Sequence, residues 1–292
     1  MSTVSSAPLG PGAFPRPATL PRWLTQLRPG VALAGIVVAF FVLAVIAPAL
    51  LATHSPYVIN LAETLKAPSW AHILGTDASG RDLYSRVIYG ARESLLIGVA
   101  ATALSISIAI VLGVVSGLAG GLVDGAINRL IEVLFSFPVL LLALLFVAVF
   151  GPSEKTEIIA VGIGTAPGYA RMVRGQVMAV KDSGYVESAR ALGHPFSRIV
   201  RRHIFPNAMR PLVVIVTLGV GQSIVWASGL AFLGLGVPPP SPEWGALLDA
   251  GRDFVTQAWW LEVMPGLAIV VFALSLTTIG RYIQQQLEGG TA

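Results

Sequence analysis

The feature that most constrains this chain is a run of 22 residues without a charge, residues 31–52. A bilayer core about 30 Å thick needs about 20 helical residues, so this run can cross a membrane. The apolar core of a cleaved signal peptide is shorter, about 7–15 residues. We therefore expect an uncleaved first membrane helix. It follows a tail, residues 1–30, that is rich in proline, serine and alanine and is expected to be disordered.

Five more apolar stretches follow the first and predict the rest of the fold. Four are long and well defined: residues 94–118, 130–150, 212–235 and 264–282. The remaining stretch, residues 158–170, is short and contains Pro167, but a helix can continue from it as far as Met178. We count it as a span because it separates loops of opposite charge character. The sequence thus predicts an all-α integral membrane protein with six transmembrane helices.

The positive charges indicate the side of the membrane on which each loop lies. The chain has 19 Lys and Arg residues, and eight of them lie between Arg171 and Arg210. With the N-terminus inside, 13 fall on inner segments and six on outer segments. Since cytoplasmic loops carry the excess of Lys and Arg, we expect a multi-pass protein of the cytoplasmic membrane with both termini inside. The basic residues are confined to loops, which argues against nucleic-acid binding.

These predictions divide the chain into four parts. Residues 1–30 form the cytoplasmic tail, and residues 31–93 contain the first transmembrane helix and an external segment. Residues 94–284 form the main membrane domain with a cytoplasmic loop at residues 179–210, and residues 285–292 form the C-terminal tail. Glycines at four-residue spacing predict close helix packing in the membrane domain. They are Gly113, Gly117 and Gly121 in the second span and Gly164 and Gly168 in the fourth.

Composition and missing motifs remove several function classes. Charged residues make up 12% of the chain, about half the usual share in soluble domains, and there is no cysteine. The sequence has no G-x-x-x-x-G-K-[ST] phosphate loop, and its four histidines show no H-E-x-x-H spacing. We therefore expect no cofactor site, no metal site and no enzymatic activity in this chain. The middles of the five clear spans carry no ionisable side chain for ion coupling, so the driving energy should come from elsewhere.

The cytoplasmic loop predicts two short helices separated by a turn. Asp182 or Ser183 can cap the first helix, and Gly193 is placed to end it in a left-handed conformation. Pro195 can begin the second helix, which Pro206 is expected to stop. The second helix collects four apolar residues on one face, namely Phe196, Ile199, Val200 and Ile204. Such a pair can dock in a groove of a soluble partner, or it can lie on the lipid surface with its arginines on phosphates.

A resemblance to a known family favours the docking interpretation. The loop resembles the EAA loop of ABC-importer permeases, whose order and spacing are matched by Glu187, Ala189, Gly193, Ile204 and Pro206. Ser188 stands where that family often has its first alanine. The loop by itself indicates only the superfamily of such permeases.

Two further segments narrow the family. Residues 75–95 and 229–248 are similar to segments before the second span and after the fifth span in C-type permeases of the dipeptide, oligopeptide and nickel group. The first segment also contains charges that can pair, for which we expect a local structural role. Because exposed pairs contribute less than ~1 kcal/mol, we assign them no energetic weight. These charges are Asp77, Arg81, Asp82 and Arg86.

The resemblance implies the transmembrane domain of a type I ABC importer, in which the loop forms a coupling helix within a cleft of the ATPase subunit. Carried over to this chain, the coupling residues are Glu187, Ser188, Ala189, Arg190, Ala191, Leu192 and Gly193. The implied partners are a second, B-type permease, two ABC ATPase subunits or one fused ATPase, and an extracytoplasmic substrate-binding protein. ATP and magnesium are then bound by the ATPase subunits and not by this chain.

The implied activity is import of di- or oligopeptides by alternating access. Import of nickel or another small solute is the alternative within the same class, although spans without fixed charges suit a peptide better than a metal that needs ligands. Two other classes compete. An intramembrane enzyme needs polar catalytic residues at membrane depth, and the clear spans show none. A channel or scaffold that works without ATP would not co-purify with an ATPase subunit.

Overall fold

The computed structural model describes residues 29–289, and within that range the chain is helical apart from turns, loops and one isolated bridge between Thr76 and Asp82. This confirms the all-α prediction. The helices are α1 (Pro29–Ile46), α2 (Pro48–Leu51), α3 (Leu83–Ala119), α4 (Gly121–Phe135), α5 (Val139–Phe150), α6 (Glu154–Lys181), α7 (Gly184–Ala191), α8 (Phe196–Ile199), α9 (Phe205–Met209), α10 (Leu212–Phe232), α11 (Trp244–Gly251) and α12 (Trp260–Gly289). Short 3₁₀ turns lie at Leu61–Glu63 and Arg252–Phe254, and a π-helical turn lies at Val200–Ile204.

The number of membrane spans depends on two features of the helices. Within residues 29–289, four helices are long and apolar enough to cross a membrane, namely α1, α3, α10 and α12. The pair α4 and α5 passes the same test as one unit, but it bends by 85°. Helix α6 has 28 residues, which suffices for a span, but its composition is too polar to meet the same criterion. The structure therefore has four or five apolar spans, and α6 occupies the place of the predicted fourth span.

Two helix ends lie away from their predicted positions, one because of a proline and the other because of a side-chain cap. Helix α1 ends at Ile46 instead of residue 52, because Pro48 disfavours a helical conformation at the preceding residue. Helix α3 begins at Leu83 instead of residue 94. The Asp82 carboxylate caps it by accepting a hydrogen bond from the backbone N–H of Ser85 at 2.8 Å. Hydropathy detected only the uncharged part of α3 because its first turns carry charged side chains.

The third predicted span is wrong as a straight helix. Residues 130–150 contain Pro138, which lies immediately before α5 and separates it from α4. In contrast, α6 continues through Pro167 without a break. The last helix, α12, continues to Gly289 and so passes the predicted start of the C-terminal tail at residue 285. Residues 1–28 and 290–292 of the two predicted tails lie outside the described part of the chain.

Helices α3 and α6 approach each other closely where the sequence predicted glycine packing. A Cβ atom on Gly113 would lie 2.6 Å from Cβ of Val173, and one on Gly117 would lie 2.7 Å from Cγ1 of Val177. Only glycine permits this backbone distance, which confirms the packing role of both positions. The third residue of the motif, Gly121, is different. It begins the next helix, α4, and faces open space, so the prediction for it is wrong.

The two glycines predicted to pack closely in the fourth span, Gly164 and Gly168, lie in α6 and differ in how closely their neighbours approach. A Cβ atom on Gly164 would lie 3.0 Å from Cγ1 of Val139, so α5 packs closely there. On Gly168 it would lie 3.7 Å from Cζ of Phe135, which is an ordinary contact distance. Close packing therefore holds for the first of this pair only.

Helix α3 joins two ends of the molecule that have different structures. Its 37 residues correspond to a length of about 55 Å. Near its start, Trp244 of α11 makes edge-on ring contacts with Phe41 and Phe272 at centroid distances of 5.2 and 6.2 Å. Near its other end, Lys181 donates hydrogen bonds to the carbonyl groups of Gly117 and Leu118. We call these the α11 end and the α7 end.

Candidate functional site

The predicted coupling loop forms a helical hairpin at the α7 end. Helix α6 continues to Lys181, so the loop begins at Asp182 and not at residue 179. Ser183 lies at the N-terminal cap position of α7, but its hydroxyl group donates to the carbonyl of Val180 at 2.6 Å and does not cap α7. The predicted side-chain cap by Asp182 or Ser183 is therefore wrong. Glu187 lies in the first turn of α7.

Gly193 makes the turn between the two helices. Its φ angle is +72°, in the left-handed region that a residue with a side chain rarely adopts. The backbone N–H of Gly193 donates to the carbonyl of Arg190 at 2.9 Å, and that of His194 donates to Ala189 at 3.2 Å. Pro195 then precedes α8. The predicted left-handed helix end and the start of the second helix are both confirmed.

The second helix differs from the prediction in two respects. Pro206 lies in the first turn of α9, directly after the π-helical turn, and the helix continues to Met209. Proline is tolerated in a first turn because an N–H there is not needed for an intrahelical bond, so Pro206 does not stop this helix. Ile199 and Ile204 are buried as expected, but Phe196 is 57% exposed and does not belong to the buried face.

Most of the predicted coupling residues are exposed on α7 and the turn. Val186 and Ala189 are buried in the same apolar cluster as Val173 and Val177 of α6, so they hold the hairpin against the membrane domain. Ala189 is thus unavailable to a partner in this structure. The six other predicted residues are exposed: Glu187, Ser188, Arg190, Ala191, Leu192 and Gly193. The apolar side chain of Leu192 is 76% exposed at the tip of the hairpin.

An ion pair between Arg174 and Asp124, which the sequence does not predict, stabilises the α7 end. Arg174 of α6 donates from Nε and Nη2 to the two carboxylate oxygens of Asp124 in α4, both at 2.7 Å. Ser116 and Asn128 also donate to that carboxylate. The partners are 50 residues apart in the sequence, and no local pattern connects them. The bidentate ion pair holds α4 against α6.

At the α11 end, the two segments that resemble peptide permeases contact each other. The hydroxyl group of Ser94 donates to Oε1 of Glu243 at 2.8 Å and accepts from the backbone N–H of Trp244 at 2.9 Å. The indole N–H of Trp244 donates to the carbonyl of Val87 at 2.9 Å. A Cβ atom on Gly90 would lie 2.0 Å from the carbonyl oxygen of Pro242, so the contact requires glycine. The two segments therefore form one structural unit.

Of the four charges predicted to pair in the first of these segments, Asp77, Asp82 and Arg86 are buried and Arg81 is half-buried, which corrects the prediction of exposed pairs. Asp77 accepts from Nε of Arg81 at 2.7 Å and from Nη1 of Arg86 at 3.2 Å. Asp77 is 8% and Arg86 3% exposed. Arg86 also donates to the carbonyl of Ser241 at 3.1 Å and so connects the two segments. Asp82 pairs with neither arginine and caps α3 instead. Buried partners of this kind are costly to remove, unlike surface pairs.

Two carboxyl groups close to this unit, those of Glu243 and Glu157, are buried. Glu243 caps α11, since its Oε2 accepts from the backbone N–H of Ala246 at 2.7 Å. Burial raises the pKa of the Glu243 carboxyl, against the opposing effect of these hydrogen bonds. Glu157 of α6 is fully buried, and its two oxygens have no hydrogen-bond partner within residues 29–289.

The comparisons with known proteins agree with this architecture. Residues 109–291 match the family described as binding-protein-dependent transport system inner membrane component. The dipeptide transport system permease protein DppC of Alkalihalophilus pseudofirmus is 36% identical over 87% of this chain and 83% of its own length. The glutathione transport system permease protein GsiD of Pectobacterium atrosepticum is 37% identical over 91% of this chain and 89% of its own length.

A solved structure shares the fold at lower sequence identity. An inward-facing form of the MetNI methionine ABC transporter contains a chain that is 18% identical, with a TM-score of 0.57. The match covers 68% of this chain and 94% of that one. Together with the family match over residues 109–291, these findings establish that the chain belongs to the inner membrane components of binding-protein-dependent transport systems, the permeases of ABC importers.

Proposed function

We propose that this chain is one of two permease subunits of an ATP-driven importer that moves di- and oligopeptides into the cytoplasm by alternating access. Its partners are a second, B-type permease, two ATPase subunits or one fused ATPase, and an extracytoplasmic substrate-binding protein. ATP and magnesium bind to the ATPase subunits. The observation that carries the proposal is the α7–α9 hairpin, which is anchored in the membrane domain on one side and exposes apolar side chains at its tip.

The hairpin tip has the properties of a docking surface. Tyr185, Leu192 and Phe196 are 46%, 76% and 57% exposed, and they flank the turn at Gly193. Burying one such side chain in a partner contributes about 1.5–3 kcal/mol, so three of them supply a useful share of a docking energy. The exposed Glu187 adds a charge beside them. These features support the coupling role of the exposed residues from Glu187 to Gly193.

The competing interpretation, a hairpin lying on lipid, is less well supported. An interfacial helix inserts its apolar face between lipid headgroups. Ile199 and Ile204, which form that face of the second helix, are already buried against the membrane domain. The excess of Lys and Arg near this loop supports a cytoplasmic position for the α7 end and for both termini. The α11 end then faces the substrate-binding protein.

The peptide cargo rests on the relatives. Two of them are named for transport of dipeptides and of glutathione, which is itself a tripeptide. An extended peptide of a few residues needs about 3.3–3.6 Å of pathway per residue, a length that a pathway shared by two permeases can provide. Nickel or another small solute is the second candidate, because these permeases resemble one another across both cargo types.

Deletion of the gene tests the proposal directly. In a strain that lacks other peptide importers, we expect the deletion to reduce uptake of labelled di- and tripeptides at least tenfold and to confer resistance to toxic peptides. A plasmid copy of the gene should restore both properties. Unchanged peptide uptake together with lost high-affinity nickel accumulation would establish the alternative cargo. Unchanged uptake of both would contradict an importer of either kind.

A further inference from the structure

We propose that His54, His72 and Asp82 form a binding site for one divalent transition-metal ion of the zinc type at the α11 end. This site lies outside the hairpin described above, and it is independent of the cargo. It links the segment after α2 to the first turn of α3. The sequence predicts no metal site, because its four histidines show no metal-binding spacing and the three residues come together only in the fold.

The three side chains converge with the geometry of a metal site. Nδ1 of His72 lies 2.9 Å and Nδ1 of His54 lies 3.8 Å from Oδ1 of Asp82. One ligand atom from each of the three residues lies within 4.8 Å of the other two. Zinc–nitrogen and zinc–oxygen bonds of about 2.0–2.2 Å place tetrahedral ligand atoms about 3.3–3.6 Å apart. The observed separations bracket that value, so small side-chain rotations would complete the site.

Neighbouring groups hold two of the ligands in the required orientation. The second oxygen of Asp82, Oδ2, accepts hydrogen bonds from the backbone N–H and the hydroxyl group of Ser85 at 2.8 and 2.7 Å. Its Oδ1 is thereby left facing the two imidazole rings. Nε2 of His72 lies 3.1 Å from Oε2 of Glu63. A ligating histidine usually donates its other ring N–H to a carboxylate in this way, which leaves Nδ1 free to bind metal.

The third ligand is also positioned, and it faces an opening. The backbone N–H of His54 donates to the hydroxyl group of Ser85 at 2.9 Å, so the same serine orients two of the three ligands. His72 and Asp82 are buried, whereas the His54 side chain is 46% exposed. A surface pocket of about 360 Å³ adjoins His54 and is also lined by Tyr57. It gives an ion access and leaves room for a bound water in the fourth position.

The local charge favours a cation, although one effect opposes it. The Asp82 carboxylate contributes one negative charge as a ligand, and the Glu63 carboxylate, which also pairs with Lys66 at 3.3 Å, adds negative charge behind His72. The positive end of the α3 dipole lies nearby and is unfavourable, but its partial charge is smaller than that of the two carboxylates. Two histidines and one carboxylate form a mixed nitrogen and oxygen ligand set that suits zinc, cobalt or nickel better than magnesium or calcium.

The competing explanation of this geometry is a structural His72 that only forms hydrogen bonds with the two carboxylates. It accounts for the contacts of His72 with Asp82 and Glu63, but it assigns no function to His54. The two explanations therefore differ in what they predict for His54. Because that side chain is half exposed, its removal should leave the fold intact and provides the decisive test.

The test uses the full-length chain in lipid nanodiscs and Co²⁺ as a spectroscopic probe, with Zn²⁺ as the competitor. We expect saturable binding of one Co²⁺ per chain, seen as visible absorption bands that Zn²⁺ removes. His54→Ala and Glu63→Gln should each weaken Co²⁺ binding at least tenfold. His194→Ala, which changes a histidine in the α7–α9 hairpin, should bind as the wild type does. Thermal unfolding without metal serves to show that all variants are folded.

Three results would overturn the proposal. The first is an absence of saturable Co²⁺ binding up to about 1 mM. The second is wild-type affinity in either His54→Ala or Glu63→Gln. The third is an equal loss of affinity in His194→Ala, which would indicate nonspecific binding to histidines.

Discussion

The α11 end and the α7 end differ in which side chains they bury and which they expose. At the α11 end, Ser94 and Glu243 are 2% and 1% exposed and bond to each other. At the α7 end, Leu192 and Phe196 are 76% and 57% exposed. The contact between residues 75–95 and 229–248 is made by buried, hydrogen-bonded side chains, whereas the hairpin tip leaves apolar side chains in contact with solvent. The difference indicates that the contact between the two segments at the α11 end is a completed structural unit and that the hairpin tip at the α7 end is an interaction surface.

The energetic consequences of mutation should differ accordingly. A buried donor or acceptor that loses its partner costs about 1–3 kcal/mol, so changes at the α11 end should act on folding. The exposed side chains of the hairpin have few neighbours to lose, and surface substitutions usually change stability by less than about 0.5 kcal/mol. Changes there should act on transport instead. The following predictions test this separation, beginning with the largest expected effect.

Trp244→Ala should produce the largest loss of stability. The indole ring is fully buried between α1 and α12, and its N–H donates to the carbonyl of Val87. Removal of a buried tryptophan costs about 3–5 kcal/mol, which should be measurable as a lower unfolding midpoint in detergent. Trp259→Ala is the matched control, because Trp259 is 50% exposed. Equal destabilisation by the two variants would contradict the assignment of the α11 end as a buried unit.

The features predicted correctly from the sequence depend on local chemistry. The turn at Gly193 could be predicted because a glycine followed two residues later by a proline is a local signal for a helix end. The glycine spacing at Gly113 and Gly117 is equally local. Residues 75–95 and 229–248 could be recognised as family segments. Their contact through Ser94 and Trp244, however, joins residues 150 positions apart. No periodicity in a single sequence reports such a distance.

The wrong predictions have physical causes of the same kind. Charges in the first turns of α3 hid the helix start at Leu83, because hydropathy averages over side chains and ignores caps. Pro206 was expected to stop a helix, but the π-helical turn before it removes the need for its missing N–H. The ion pairs of Asp77 are predicted to be exposed because the sequence does not show that α11, which is distant along the chain, packs over them. The sites that sequence reasoning missed are thus those formed by distant segments.

Gly193→Val should give an intermediate effect, and its main consequence should be on transport. A β-branched residue at φ +72° costs at least ~1 kcal/mol locally and should shift the turn at the hairpin tip. We expect a normal amount of protein in the membrane, with transport and its linked ATP hydrolysis reduced about fivefold or more. Gly184→Val is the matched control, because a Cβ atom at Gly184 meets open space without a positive φ. Normal transport by a well-expressed Gly193→Val protein would contradict the coupling role.

The smallest effect on stability is expected from single cysteines that report on which side of the membrane each end lies. The chain has no cysteine, and Ser197, Thr256 and Gln286 are exposed, so substitution should change stability by less than about 0.5 kcal/mol. In intact cells an impermeant maleimide should label Thr256→Cys only, and permeabilised cells should label all three.

Ser241 is less suitable because its hydroxyl group donates to Glu93. Since α3 is about 55 Å long, its two ends must lie on opposite sides of a bilayer about 30 Å thick if it crosses. Labelling of Ser197→Cys and Thr256→Cys from the same side would therefore contradict both the orientation and the separation of the two ends.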